Sequence, residues 1–196
     1  MVRAILAGTK TQTRRVVKPH PSDDAFVLVD YSSDGGGWRP YRSDDGESQS
    51  VRGEWIEEEI ACPYGQPGDR LWVRETWLRH SDKPGDYCYR ATHKDADFFG
   101  QTHGGWKPSI HMPRAVSRIT LEVTGVRVER LQDISSEDAQ AEGWPGPDEH
   151  NSIRRAYPIA WYAHLWEQIN GTNSWEANPW VWVVEFRPLQ DSGSNE

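Results

Sequence analysis

The first twenty residues contain no carboxylate. They carry Arg3, Lys10, Arg14, Arg15 and Lys18, in a 196-residue chain whose net charge is −8, so the remaining 176 residues sum to −13. A cationic strip on an acidic molecule is a local address for an anion; its plainer reading is a run of solvated surface charge. Cysteine is scarce as well. Cys62 and Cys88 stand outside any CxxC spacing, which argues against a disulfide framework and a thiolate zinc site. The seven histidines form no HxH or HExxH pattern, so neither a metal nor another cofactor is expected. No apolar run approaches the roughly 18 residues that span a bilayer, and no signal-peptide pattern precedes the charged start. A cytoplasmic setting without a membrane partner is expected, and the Asn170-Gly171-Thr172 sequon then has no role.

Tryptophan, in contrast, is abundant. Eleven of them, with 36% hydrophobic and 27% charged residues, describe a folded globular chain with a real core. Met1–Ala7 reads as a short helix with Gly8 as its C-cap, and Thr11–Val17 as a strand stopped by Lys18-Pro19-His20-Pro21. Phe26–Tyr31 is a second strand. Ser32–Gly53, rich in Gly, Ser and Asp, reads as a flexible insertion before strand-like sequence resumes at Glu54–Ala61. Arg70–Trp77 and Tyr87–Ala91 are further strands, with a loop over Thr92–Gly105. Ser117–Arg130 is the clearest β segment, broken near Thr124-Gly125. Ser135 followed by Asp138 resembles a capping box for a helix reaching Glu142. Ile159, Tyr162, Leu165, Trp166 and Ile169 recur at helical spacing after Pro158, and Trp180–Phe186 alternates as a closing strand. Strands that do not alternate regularly with helices argue against a doubly wound parallel sheet. The expected fold class is α+β: a mostly antiparallel β-barrel with flanking helices, as one domain over 1–188 and a disordered tail over 189–196.

Four strings carry the chemistry: GTKTQTRR (8–15), PGDRLWVRETW (67–77), SRITLEVTGVRVERL (117–131) and LQDISSEDAQAEG (131–143). Together they resemble the ASCH family of the PUA-like superfamily, in a form similar to those of bacteriophages and prophages. The resemblance implies a PUA-like barrel whose cleft receives RNA, a nucleotide or a nucleoside. One branch of that family hydrolyses 4-acetylcytidine to cytidine and acetate. By motif, its catalytic base falls on Lys10, its nucleophile on Thr13 and its proton donor on Glu142. The partner so implied is a nucleoside or a short single-stranded RNA.

The residues have their own logic. A Thr hydroxyl needs a base to take its proton, and Lys serves only when neutral, with its pKa pushed below about 10.4 by burial or adjacent cations. Arg14 and Arg15 are such neighbours. On an ideal strand Lys10 and Thr13 point to opposite faces, so their cooperation demands a turn or bulge between them. Equally, Lys10, Arg14 and Arg15 suit a phosphate clamp without catalysis, Thr13 an ordinary strand position, and Glu142 a surface charge at a helix end. Arg74 and Glu75 are either cleft residues or a cross-strand charge pair. Trp77 and Trp106 either stack on a base or pack in the core. Lys107, Ser109, His111 and Arg114, in the Pro-flanked segment 106–114, either bind ligand or cross the surface. Three functions follow: an amidohydrolase on a modified cytidine, a non-catalytic RNA or modified-base binding module, and a ribonuclease. The net acidity disfavours wrapping of long duplexes.

Overall fold

The computed structural model describes residues 1–18, 27–30, 38–43, 53–55, 60–80, 85–147 and 157–189. In chain order the elements are α1 (Val2–Leu6), β1 (Gln12–Val16), β2 (Val27–Asp30), β3 (Trp38–Ser43), β4 (Gly53–Trp55), β5 (Arg70–Trp72), β6 (Trp77–Arg79) and β7 (Tyr87–Tyr89). They continue with α2 (Ala96–Thr102), β8 (Thr120–Arg130), α3 (Ser136–Ala141), α4 (Pro158–Asn170) and β9 (Trp180–Pro188). The fold is α+β. Its centre is an antiparallel sheet in the order β1-β9-β8-β5, beside a three-stranded sheet β2-β3-β4 and a two-stranded one, β6-β7.

β9 is buried on both faces, which its unbroken apolar run allows. Trp180, Trp182 and Val184 pack on one side with Val17, Ile60 and Val123. Val181 and Val183 face the other way, toward Leu131, Ile134, Ala139, Tyr162 and Trp166. The second face is therefore roofed by α3 and α4. Ser135 caps α3, its hydroxyl accepting from the Asp138 N–H at 3.0 Å, and Pro158 opens α4 where its missing N–H costs nothing.

The long β8 breaks where the sequence indicates, with a register shift between Val123 and Gly125. A Cβ at Gly125 would lie 2.8 Å from a Glu185 carboxylate oxygen, so glycine there lets that carboxylate lie across the strand.

Several expectations are corrected. Arg70–Trp77 is two strands, β5 and the start of β6, parted by irregular backbone at 73–76. Ser117 hydrogen-bonds the Val73 carbonyl there, and Glu75 is drawn inward to Arg118. The segment read as a loop over Thr92–Gly105 contains α2, held by Trp106, whose indole N–H donates to the Ala96 carbonyl at 2.7 Å. Gly100 makes that approach possible, because a Cβ there would meet the Trp106 ring at 2.5 Å. Segment 106–114 holds a 3-10 turn at Ser109–His111 and the start of another at Arg114–Val116. β3 crosses the supposed insertion at 32–53, whose other residues up to Arg52 lie outside the described ones, as do Phe26, Tyr31 and 56–59. Leu189, assigned to the tail, donates its N–H to the Thr120 carbonyl at 2.8 Å; 190–196 lie outside the described residues.

Candidate functional site

One end of the helix-covered sheet face is polar. Cross-strand register puts Gln12 beside Glu185 and Gly125, Arg14 beside Val183 and Arg127, and Val16 beside Val181 and Glu129. Residues so paired share a face. Arg14 sits there with its side chain fully buried. Its guanidinium binds Glu129 through Nε at 3.0 Å and through Nη2 at 2.6 Å, and reaches Asp138 at 3.2 Å and Glu142 at 3.3 Å. Arg127 joins Glu129, Asp138 and Glu185, while Gln12 donates to Asp138 at 2.7 Å. Burial opposes ionisation of Asp138, but the Gln12 hydrogen bond and the Arg127 and Arg14 charges outweigh it and hold its carboxyl below the usual range.

Lys10 lies at the edge of this cluster. The chain enters it irregularly: Thr9 and Lys10 both donate backbone N–H groups to the Ala4 carbonyl, and Thr11 donates to Ala141 at 2.8 Å. Lys10 and Glu142 pair as an isolated β-bridge two residues before β1 begins. Gly143 makes the junction possible. It has φ +97°, and a Cβ there would stand 3.2 Å from the Cβ atoms of both Ala4 and Lys10. The Lys10 ammonium, buried, donates to the Gln12 carbonyl at 2.9 Å, the Glu142 carbonyl at 2.9 Å and the Glu142 carboxylate at 2.6 Å. Burial lowers its pKa from the ordinary 10.5, more than the Glu142 carboxylate raises it, with Arg15 and Arg14 adding to the fall.

A cleft of about 570 Å³ opens beside the pair. Lys10, Thr13, Arg14, Arg15 and Glu142 line it, opposite an aromatic and aliphatic wall from α4 that includes Trp161, Tyr162 and Leu165. Burial, then the adjacent Glu142 carboxylate, push the Tyr162 phenol above its ordinary value and keep it protonated. Thr13 Oγ1 accepts from Arg15 Nη1 at 3.0 Å, and the same nitrogen donates to the Arg14 carbonyl at 2.8 Å.

The remaining sequence candidates are elsewhere. Glu75, buried, is bound by Arg118 at 2.8 and 3.0 Å and lines a second cleft. Trp77 is a core residue packed on Met112 and Val116, edge-on to Tyr87, so it offers no stacking face; Lys107 covers its ring at 4.9 Å. Arg74 lies 4.7 Å and Arg114 5.9 Å from the Trp72 ring. Arg74, Trp77, Lys107, Ser109 and Arg114 line neither cleft. Arg14 is neutralised by three carboxylates and does not present a phosphate fork to solvent. Arg127, Glu129 and Glu185 escaped the sequence reading, and Asp138 was read only as part of the α3 cap. The signal for the first three was charge inside alternating strands, VRVER and VVEFR, at positions where a buried face demands apolar residues. Among the described residues, no group of three His, Cys, Asp or Glu side chains is arranged to hold a metal ion.

The molecule is thus an α+β protein whose sheet and helices bury an ion-pair cluster at the floor of a partly apolar cleft. No family model, curated protein or solved structure matches the chain.

Proposed function

We propose that this chain is a PUA-like protein of the ASCH type and an amidohydrolase that removes an acyl group from a modified cytidine such as 4-acetylcytidine. One observation carries the reading: Lys10, Thr13 and Glu142, the last 132 residues from the first, wall a single cleft. The pairing of Lys10 with Glu142 supports the chemistry. A neutral amine and a protonated carboxyl hold the same number of protons as the ion pair, so one proton shift across 2.6 Å creates base and acid together. Burial lowers the Lys10 pKa and so favours its neutral amine.

In this reaction Thr13 Oγ attacks the amide carbonyl carbon while Lys10 Nζ takes its proton. The Arg15 guanidinium, already on Thr13 Oγ1, stabilises the developing oxyanion. Glu142 protonates the departing cytosine amine, and water then hydrolyses the Thr13 ester to release acetate. Attack requires the β1 edge to shift, because Thr13 pairs with Val184, on the sheet face away from Arg14, and its hydroxyl rests on Arg15 rather than Lys10. The α4 wall of Trp161, Tyr162 and Leu165 suits a nucleobase and its acyl group.

A second reading, a non-catalytic module for a modified base, draws on a specific observation. All three Lys10 ammonium protons are engaged and Thr13 is held by Arg15, an arrangement that also suits a static clamp. Purified protein with 4-acetylcytidine, followed by mass-resolved chromatography, separates the two. Cytidine and acetate in equal amounts support the hydrolase; binding without product selects the module.

A further inference from the structure

A second cleft of about 660 Å³ lies on the other side of α1. Met1 and Ala4 line the first cleft, whereas Val2 and Arg3 line the second, so this one helix separates them. Arg90, His93, Lys94 and Phe98 complete the wall that matters here.

It carries free charges, whereas in the first cleft Lys10 and Arg14 are spent on carboxylates. Lys94 is exposed and makes no ion pair among the described residues. Arg3 donates Nε to the Ala91 carbonyl at 2.7 Å, and its terminal nitrogens have no partner among the described residues. Of the carboxylates, Glu75 is bound by Arg118 and Asp97 by Arg90, leaving Asp95 without an ion pair among the described residues. Two available cations against one available carboxylate favour an anion. An aromatic platform stands beside them. Phe99 stacks between His93 (4.2 Å) and His103 (3.9 Å), and Trp106 locks the same helix, α2. With α2 fixed in this way, Phe98 stays 70% exposed at the cleft. Two free cations next to an exposed ring on an anchored helix match the requirements of single-stranded nucleic acid.

We propose that the second cleft is a subsite for a nucleotide about three positions along the strand from the modified base, and that the substrate is an oligonucleotide strand laid across α1. The proposal rests on the nucleoside reading of the first cleft. A helix with its side chains is about 10–12 Å across, and a stacked strand rising about 3.4 Å per nucleotide spans that in about three steps. Pentamers therefore reach both clefts and dimers do not.

The test uses Thr13→Ala protein, so that ligand persists, with two probes: 4-acetylcytidine and a ribopentamer carrying it at one end. The pentamer binds about tenfold tighter, within the range that a base–aromatic stack supplies. Phe98→Ala and Lys94→Ala each weaken the pentamer severalfold and leave the nucleoside unchanged. Lys94→Ala also lowers the salt slope by about 0.7, one phosphate contact. Asp95→Asn tightens the pentamer. Equal affinities for the two probes, or a pentamer indifferent to residues 94 and 98, overturn the subsite. A pentamer that binds and responds to both substitutions while the nucleoside fails to bind overturns the reading of the first cleft and keeps the second as a nucleic-acid site. Binding of neither probe overturns both.

Discussion

Lys10 and Arg14 are both buried cations, four residues apart, and they do opposite things. Arg14 has carboxylates on three sides, so Arg14→Met leaves Glu129, Asp138 and Glu142 short of a countercharge. Urea unfolding is expected to register a loss of about 3–5 kcal/mol. Lys10 instead carries a lowered pKa, and the consequence for pH has a definite sign. Between that lowered value and 10.5 the unfolded chain binds the proton that the folded one has released, so stability rises with pH across this window. Above pH 10 the raised Tyr162 phenol reverses the trend, because the unfolded chain then loses its phenolic proton first. Denaturant melts from pH 8 to 10 on wild type and Lys10→Met should show the rise only in wild type. A parallel rise in the variant would assign it to another group. At Glu142 the hydrolase proposal predicts a catalytic change: Glu142→Gln keeps the shape but removes the proposed proton donor, costing about 10²–10⁴-fold in kcat.

Among the elements, the end of α3 matters most, because it delivers Glu142 to Lys10. Gly143→Ala places a Cβ at positive φ and against Ala4 and Lys10, for an expected loss of about 1–3 kcal/mol with a fall in turnover beyond what unfolding explains. Thermal melts beside initial rates would check both parts. Ser135→Ala removes only the cap, about 1 kcal/mol, and should leave any turnover by the folded protein intact. Elements with local signals were legible. The Ser135 cap, the Pro158 start, the break in β8 and the alternation of β9 all sit where their residues indicate. Elements fixed by distant partners were not. RLWVRETW has continuous β character, yet tertiary bonds from Ser117 and Arg118 break it at 73–76. α2 is seven residues with an uncapped start, and its anchors, Trp106 and the Phe99 stack, are contacts that no local pattern encodes. At α4, Tyr162 and Trp166 turn inward as their spacing predicts, whereas Ile159 and Ile169 remain exposed; Ile169 lines the first cleft.

For the whole molecule, the acidic surface and the basic first strand have one physical explanation. The strip is not a free patch: Lys10 and Arg14 are buried beneath α3 and α4 among carboxylates contributed by β8, β9 and α3, and only Arg3, Arg15 and Lys18 reach solvent. The sequence located one wall of the site, because a short motif holds Lys10, Thr13 and Arg14 together. It concealed the acidic cluster beneath that wall, because Glu129, Asp138 and Glu185 become neighbours only through sheet register and helix packing. The account stands or falls on whether bonds break in the cleft beside Thr13. The decisive measurement is the rate of cytidine release from 4-acetylcytidine by wild type and by Thr13→Ala, with circular dichroism confirming that both are folded. The account predicts turnover by wild type and a loss of at least about 10³-fold in kcat/KM for the variant, as expected when the nucleophile is removed. A folded wild type that releases no cytidine, or a Thr13→Ala protein that retains its rate, would contradict it.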